Sequence, residues 1–165
     1  LKQAHFIQLS CFSILSIAIM HQSEDKKSMT VLVTGGAGYI GTHCVIALIL
    51  NGFDVVVIDN YSNSNKESLR RVEAIVRDRL PSKNAQSKIK SHDVDMTDKN
   101  ALQEIFKTYK IDIVIHLAGL KSVGESVENP ARYYRNNILS TINLVECMID
   151  FNVSRIIFSS SATVY

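Results

Sequence analysis

Short apolar runs alternate with amphipathic stretches from Met29 onward, and this alternation limits the possible folds more than any other feature of the sequence. The pattern is typical of βαβ units, in which helices pack on both faces of a parallel sheet. The apolar runs are rich in Val and Ile, as expected of strands that are buried on both faces. Five strands are predicted, over residues 31–33, 54–58, 88–91, 111–116 and 153–158. The sequence therefore predicts an α/β fold with a doubly wound parallel sheet, truncated after about the fifth strand.

Four helices are predicted between these strands, over residues 39–51, 66–80, 98–109 and 130–151. Gly52 can close the first helix in a left-handed conformation, and Pro81 ends the second. Asp98 can cap the third helix, and Pro130 suits the first turn of the fourth, where a missing N–H costs nothing. Strands and helices thus alternate along the chain, as a doubly wound sheet requires.

A glycine-rich stretch, VTGGAGYIG at residues 33–41, lies between the first strand and the first helix. It fits G-x-G-x-x-G with Gly36, Gly38 and Gly41, and G-x-x-G-x-x-G with Gly35, Gly38 and Gly41. Such glycines allow a tight turn, bring bare backbone close to a pyrophosphate and let the helix pack closely on the strand. The helix N-terminus then offers N–H groups to the phosphates. The stretch predicts a Rossmann-type dinucleotide site, although a flexible turn is the alternative interpretation of the glycines alone.

Two aspartates at strand ends extend this prediction. Asp59 ends the second strand, where an acid accepts hydrogen bonds from the ribose hydroxyls of NAD and repels the extra phosphate of NADP. The cofactor is therefore predicted to be NAD, although Asp59 could also be a turn residue. Asp93, after the third strand, is placed to meet the adenine amino group, but a turn-forming aspartate fits its spacing nearly as well.

Composition excludes several other classes of function. The 18 Lys and Arg residues against 16 Asp and Glu give a net charge of only +2, and they are interspersed, so no basic patch points to nucleic acid or a membrane surface. The cysteines, Cys11, Cys44 and Cys147, have no C-x-x-C spacing, so neither a disulfide framework nor a zinc site is predicted. Thiols of this kind suit the cytoplasm. The five histidines are scattered and are expected to have ordinary structural roles.

Residues 1–28 differ in character from the rest of the chain. They contain an apolar run bounded by Lys2 and His5 before it and by the polar stretch HQSEDKKS after it. The run is short for a bilayer span and has the outline of a signal-peptide core. We interpret residues 1–28 as a leader or non-native upstream segment outside the core domain, 29–165. The alternative is a real signal peptide and a secreted protein.

Three later stretches carry a specific resemblance: HLAGLKSVGES at residues 116–126, NPARYYRNN at 129–137 and FSSSATVY at 158–165. They resemble the UDP-glucose (UDP-galactose) 4-epimerases of the extended short-chain dehydrogenase/reductase superfamily, and the likeness extends over residues 29–165. The resemblance implies an NAD-dependent isomerase of galactose metabolism that acts on UDP-hexoses and forms a homodimer. Such an enzyme removes a hydride at C4 of the sugar and returns it to the other face.

The resemblance also implies roles for individual residues. Ser161 matches the serine that hydrogen-bonds the reacting hydroxyl of the sugar. One departure is His92, where many relatives have glycine before the aspartate. The implied cofactor-binding residues are Gly35, Gly38, Tyr39, Ile40, Gly41, Asp59, Asn60, Tyr61, Ser62, Asn63, Ser64, Asp93, Val94, Leu117, Ala118, Gly119, Leu120, Lys121 and Asn136.

The catalytic Tyr-x-x-x-Lys pair of the superfamily does not occur in this sequence. In the family the pair follows the serine by more residues than this chain contains. The chain is therefore interpreted as the cofactor-binding half of an epimerase, inactive alone and without the C-terminal substrate-binding part. Two alternatives remain: another nucleotide-sugar dehydratase or reductase, for which AGLKSVGES is the wrong signature, and a noncatalytic NAD-binding module.

Overall fold

A computed structural model describes residues 29–80 and 89–160, together with the backbone of residues 5–7. In this part of the chain six strands form one sheet, and every neighbouring pair is parallel. The strands are β1 (His5–Ile7), β2 (Thr30–Thr34), β3 (Asp54–Asp59), β4 (Ile89–Asp93), β5 (Ile113–His116) and β6 (Arg155–Phe158).

The sheet has the order β1-β6-β5-β2-β3-β4. The chain runs from β2 outward through β3 to β4, and then returns to the other side of β2 to form β5 and β6. The direction of winding therefore reverses between β2 and β5, where Thr34 pairs with His116. In open parallel sheets, ligands bind outside the carboxyl ends of the strands at such a reversal.

Helices connect the strands, and several begin at side-chain caps. They are α1 (Tyr39–Leu50), α2 (Lys66–Arg79), α3 (Lys99–Thr108), α4 (Val123–Glu128), α5 (Pro130–Tyr133) and α6 (Leu139–Asp150), with a π-helical segment, Tyr134–Ile138, between α5 and α6. The Asn65 side chain accepts a hydrogen bond from the Glu67 N–H, and Asp98 accepts from the N–H groups of Asn100 and Ala101. These caps satisfy N–H groups that have no partner within the helix.

Two apolar layers hold the helices against the sheet. On one face, Val31, Val33 and Val57 pack with Val45 and Ile49 of α1. On the other face, the strand residues that alternate with these, such as Leu32, Val56 and Val114, pack against α3 and α6. The same cluster includes Leu102 and Leu144 of those helices. Because both faces are covered, the predicted doubly wound α/β fold is confirmed.

The predicted elements are present, and three features differ from the sequence analysis. The fourth predicted helix contains the π-helical segment, and α4 precedes it without having been predicted. β1 lies within residues 1–28, and its backbone pairs with β6, with Phe6 opposite Ile156. The remainder of residues 1–28, including the apolar run, lies outside the described residues, as do residues 81–88. Among the described helices, none has both the length and the apolar character needed to cross a bilayer.

Candidate dinucleotide-binding site

A cavity of about 280 Å³ lies at the carboxyl edge of the sheet, above β2, β3 and β5. The predicted cofactor residues that line it are Gly35, Gly38, Tyr39, Ile40, Gly41, Asp59, Asn60, Ser62, Asn63, Val94, Leu117, Ala118, Gly119, Leu120, Lys121 and Asn136. Tyr61, Ser64 and Asp93 do not line it. Four lining residues were not predicted: Ile58, Asp95, Met96 and Ser140.

The glycine loop is closed tightly against the neighbouring backbone. Gly35 has φ +67°, and a Cβ there would lie 2.7 Å from the backbone nitrogen of Ala118. A Cβ on Gly41 would collide with the carbonyl oxygen of Gly35. A side chain at either position would therefore displace the backbone that forms one wall of the cavity.

Helix α1 points its N-terminus at this cavity without a side-chain cap. Its N-cap residue is Gly38, which makes no side-chain hydrogen bond, and its first turn contains no acidic residue. The first N–H groups of a helix have no partner within the helix, and they carry the positive end of its dipole. The cavity thus has a ready binding point for an anion, formed by backbone alone.

Asp59, the last residue of β3, supplies a fixed carboxylate to the cavity. It is only 7% exposed. One carboxylate oxygen accepts a hydrogen bond from the Ala37 N–H at 3.0 Å, and the other accepts from the Tyr61 N–H and the Ser64 hydroxyl at 2.9 Å each. Tyr61 and Ser64, although predicted to contact the cofactor, thus orient Asp59 from outside the lining.

The carboxylate beyond β4 that lines the cavity is Asp95. Asp93 instead forms an ion pair with the Lys66 ammonium at 2.8 Å on the surface. Asp95 accepts hydrogen bonds from the Thr97 hydroxyl and N–H at 2.6 and 2.8 Å, and from the Asn60 amide at 3.0 Å. Partial burial opposes the charged form of Asp95, but these hydrogen bonds outweigh it and lower its pKa. β4 pairs with β3 as far as Asp93, and the residues that follow it line the cavity. The end of this strand was therefore the sequence feature that could have indicated Asp95.

The loop at residues 117–121, after β5, forms the opposite wall and is held by side chains from two directions. The Thr34 hydroxyl oxygen accepts hydrogen bonds from the N–H groups of Leu117 and Ala118, at 3.2 Å each. The Asn137 side chain accepts from the Leu120 N–H at 2.8 Å and donates to the Leu120 carbonyl at 3.0 Å. The loop is therefore fixed before any ligand is bound.

Ser161, the predicted catalytic serine, lies outside the described residues. The preceding strand β6 ends at Phe158, and the Ser159 N–H donates to the His116 carbonyl at 3.1 Å. The chain therefore leaves β6 at the same edge of the sheet as the cavity. Among the described residues, no group of three or more His, Cys, Asp or Glu side chains is arranged to hold a metal ion.

Comparison with known proteins agrees with this geometry. The family model described as GDP-mannose 4,6 dehydratase matches residues 32–165. UDP-glucose 4-epimerase uge1 of Schizosaccharomyces pombe is 52% identical over 136 residues, which are 82% of this chain and 36% of that protein. UDP-glucose 4-epimerase 2 of Arabidopsis thaliana is 51% identical over 82% of this chain and 37% of its own length.

Solved structures give the same result. The UDP-glucose 4-epimerase of Bifidobacterium longum in complex with NAD+ and UDP superposes with a TM-score of 0.75 at 49% identity, covering 83% of this chain and 38% of that one. The enzyme of Stenotrophomonas maltophila, with bound NAD and formylated UDP-arabinopyranose, gives a TM-score of 0.74 at 39% identity and the same coverage. The chain spans a little over a third of the length of these relatives, and the resemblance read from its motifs is confirmed. The chain belongs to the family that the GDP-mannose 4,6 dehydratase model describes, and within that family it is similar to UDP-glucose 4-epimerases.

Proposed function

We propose that this chain is the NAD-binding part of a UDP-glucose 4-epimerase, an isomerase of galactose metabolism that interconverts UDP-glucose and UDP-galactose. The observation that carries the proposal is one cavity, at the reversal of the sheet, that unites an uncapped helix N-terminus with the buried carboxylate of Asp59. When bound, NAD supplies the hydride acceptor and donor that inversion at a sugar carbon requires. The relatives crystallised with NAD support this cofactor.

The residues of the cavity fit the parts of a dinucleotide in order. The N–H groups at the start of α1 would hold the pyrophosphate, and Gly35 and Gly41 keep that approach free of side chains. Asp59 would accept hydrogen bonds from the adenosine ribose. Its carboxylate is fixed by three donors and is nearly buried, so a 2′-phosphate there would face an immobile negative charge. We therefore propose a preference for NAD over NADP.

At the adenine end we propose Asp95, with Val94 and Met96, as the contact. Asp93 and Val94 are the residues that the family resemblance implies, but the Asp93 carboxylate pairs with Lys66 outside the lining. Asp95 faces the cavity with its carboxylate held by Thr97 and Asn60. A carboxylate held in this way can accept a hydrogen bond from an amino group.

At the other end, the loop at residues 117–121 and Asn136 would contact the nicotinamide half, and Ser161 would hold the reacting hydroxyl of a UDP-hexose. A base is still needed to take the hydroxyl proton, and the sequence contains no Tyr-x-x-x-Lys pair to provide it. We therefore propose that the chain alone binds NAD and does not turn over sugar, whereas the complete protein is active.

The binding test is calorimetric titration of the 165-residue chain with NAD+ and with NADP+. We expect NAD+ to bind and NADP+ to bind at least about tenfold more weakly, a difference of about 1.4 kcal/mol. Asp59→Asn should reduce this preference, and circular dichroism should show that the variant remains folded. A folded chain that binds neither cofactor would overturn the proposal. Turnover of UDP-galactose by the complete protein tests the activity, and its absence would refute the epimerase assignment.

We also propose that the complete protein is a homodimer. Ile138, Ile142, Val145 and Ile149 are 37–69% exposed and recur at helical spacing, so they form one apolar stripe along the π-helical segment and α6. In a twofold dimer the same patch pairs with itself, so a single stripe is sufficient. Light scattering of the complete protein should show a dimer that Ile142→Asp dissociates. A monomer would indicate that the rest of the protein covers the stripe, and would overturn the dimer.

We propose the cytoplasm as the location of the protein. Cys44 and Cys147 are buried thiols, which suits a reducing compartment. Fractionation of cells that express the tagged complete protein is the test, and recovery from the culture medium would refute it.

A further inference from the structure

The last residue of β5, His116, is a buried polar side chain between two threonines. It is 3% exposed, and its neighbours along the strand are apolar. Its Nδ1 atom lies 2.7 Å from the Thr34 hydroxyl oxygen on β2, and its Nε2 atom lies 3.2 Å from the Thr141 hydroxyl oxygen on α6. The imidazole thus connects the central strand β2 to helix α6, next to the loop at residues 117–121, the cavity loop.

The partners of the two threonines fix the direction of every hydrogen bond in this connection. The Thr34 oxygen already accepts from the N–H groups of Leu117 and Ala118, so its single proton is donated to Nδ1 of His116. The Thr141 hydroxyl donates to the Asn137 carbonyl at 2.8 Å, so its oxygen is free to accept from Nε2. The imidazole must therefore be neutral and carry its proton on Nε2.

This chain of hydrogen bonds holds both ends of the cavity loop. At one end the N–H groups of Leu117 and Ala118 donate hydrogen bonds to the Thr34 hydroxyl oxygen. At the other end Leu120 is held by the Asn137 side chain, and the Asn137 carbonyl accepts from Thr141. Since Asn136 lines the cavity and its amide donates to the Asn137 side chain at 3.0 Å, the helix side of the cavity belongs to the same network.

We infer that His116 is a positioning residue, whose neutral, Nε2-protonated imidazole sets the distance between the cavity loop at residues 117–121 and the π-helical segment that carries Asn136. The inference rests on the proposed NAD binding for its consequence, because these two elements form the wall that would contact the nicotinamide half. The geometry of the network itself does not depend on the cofactor. Burial, followed by the charge of Lys121, lowers the pKa of His116 to about 4, which agrees with a neutral ring.

The first experiment measures the tautomer directly. Two-bond proton–nitrogen correlation spectra of the histidine-labelled 165-residue chain at pH 7 distinguish a protonated Nε2 from a protonated Nδ1, and His116→Asn assigns the signal. We expect an unprotonated Nδ1. A protonated Nδ1, or a charged ring at this pH, would overturn the inference.

The second experiment separates positioning from general stability with a matched pair at Thr141. Thr141→Val keeps the shape of the side chain but removes the acceptor for Nε2, whereas Thr141→Ser keeps the hydroxyl. We expect faster amide hydrogen exchange at Leu117, Ala118 and Leu120 in Thr141→Val than in Thr141→Ser, with the amides of β3 unchanged. Equal exchange in the two variants, or a uniform change across the sheet, would show that the network does not position the loop.

The cofactor provides a separate measurement. The dissociation constant for NAD+ should rise about tenfold in Thr141→Val and remain near the unmodified value in Thr141→Ser, in line with the usual value of a buried hydrogen bond. Unchanged affinity in Thr141→Val would overturn the consequence for binding. If the unmodified folded chain does not bind NAD+, the proposed function fails, while the tautomer and the exchange rates still decide the role of His116.

Discussion

Acidification should weaken the fold through His116 within a definite pH range. The pKa of this imidazole is lowered from 6.5 to about 4, first by burial and second by the charge of Lys121. Between these two values the unfolded chain binds a proton at this position that the folded chain does not bind. The stabilisation contributed by the group is therefore complete above about pH 6.5, is lost progressively as the pH falls from about 6.5 to about 4, and is gone below about 4.

The magnitude follows from the two pKa values. Between pH 7 and pH 5, protonation of the unfolded state alone should lower the free energy of unfolding by about 2 kcal/mol, and the loss should approach about 3 kcal/mol below pH 4. Asp95 does not obscure this range, because its pKa is lowered from an ordinary value of 3.8 and its effect falls at more acid pH.

Urea unfolding of the 165-residue chain at several pH values between 7 and 5 measures this loss. The matched variant is His116→Asn, which can still accept the Thr34 hydrogen bond but does not titrate. We expect the variant to be less stable at pH 7 and to show little change between pH 7 and pH 5. A slope with pH as steep in the variant as in the unmodified chain would refute the assignment to His116.

Three further predictions test other parts of the structure. Asp95→Asn should raise the dissociation constant for NAD+ about tenfold in calorimetry, whereas Asp93→Asn should leave it unchanged. The reverse result would support Asp93 as the adenine contact. Gly41→Ala should lower the free energy of unfolding in urea by about 3 kcal/mol, because the new Cβ would collide with the glycine loop. Gly124→Ala, with open space around its Cβ, should be neutral or slightly stabilising. Equal effects of the two substitutions would contradict the close packing at Gly41. Deletion of residues 1–28 removes β1 from the edge of β6 and should cause concentration-dependent association in size-exclusion chromatography, and an unchanged elution volume would show that β1 does not protect that edge.

The sheet and the glycine loop could be predicted because their signals are local. A Val-rich strand, a glycine loop and a largely apolar helix follow one another within residues 30–50, and Asp59 ends the next apolar run. Each of these features results from the needs of adjacent backbone, such as the clash that a Cβ on Gly41 would cause. Sequence spacing is sufficient for such features.

The choice between Asp93 and Asp95 could not be made in this way. Both residues follow the third predicted strand, and they differ only in whether the strand still pairs at that point. In the structure Asp93 is opposite Asp59 in the last pair of the ladder, and Asp95 lies beyond it, over the cavity. β4 is only partly buried, so its hydrophobic pattern gives a poor estimate of where it ends.

The position of the π-helical segment could not be predicted from the sequence either. Ser140 and Thr141 each donate a hydroxyl hydrogen bond to the carbonyl four residues earlier, of Asn136 and Asn137. Such bonds compete with the helix ladder and are associated with bends and wider turns. A periodic apolar pattern predicts that residues 130–151 are helical but does not locate one extra residue in a turn. Asn136, which lines the cavity, lies within this segment.

His116 shows why a polar residue is found in an otherwise apolar strand. A leucine at this position would pack in the core at lower desolvation cost, but it would leave the Thr34 proton without an acceptor in the buried interior. A buried polar group without a partner costs about 1–3 kcal/mol, and so Thr34 and His116 have to be explained together. Thr34 in turn is needed because the Ala118 N–H leaves the sheet at that point and requires an acceptor, whereas the Leu117 N–H also donates to the backbone carbonyl of Thr34. The polar chain from these N–H groups to Asn137 therefore follows from ending a buried strand at a cavity, and the imidazole is its link to the helix.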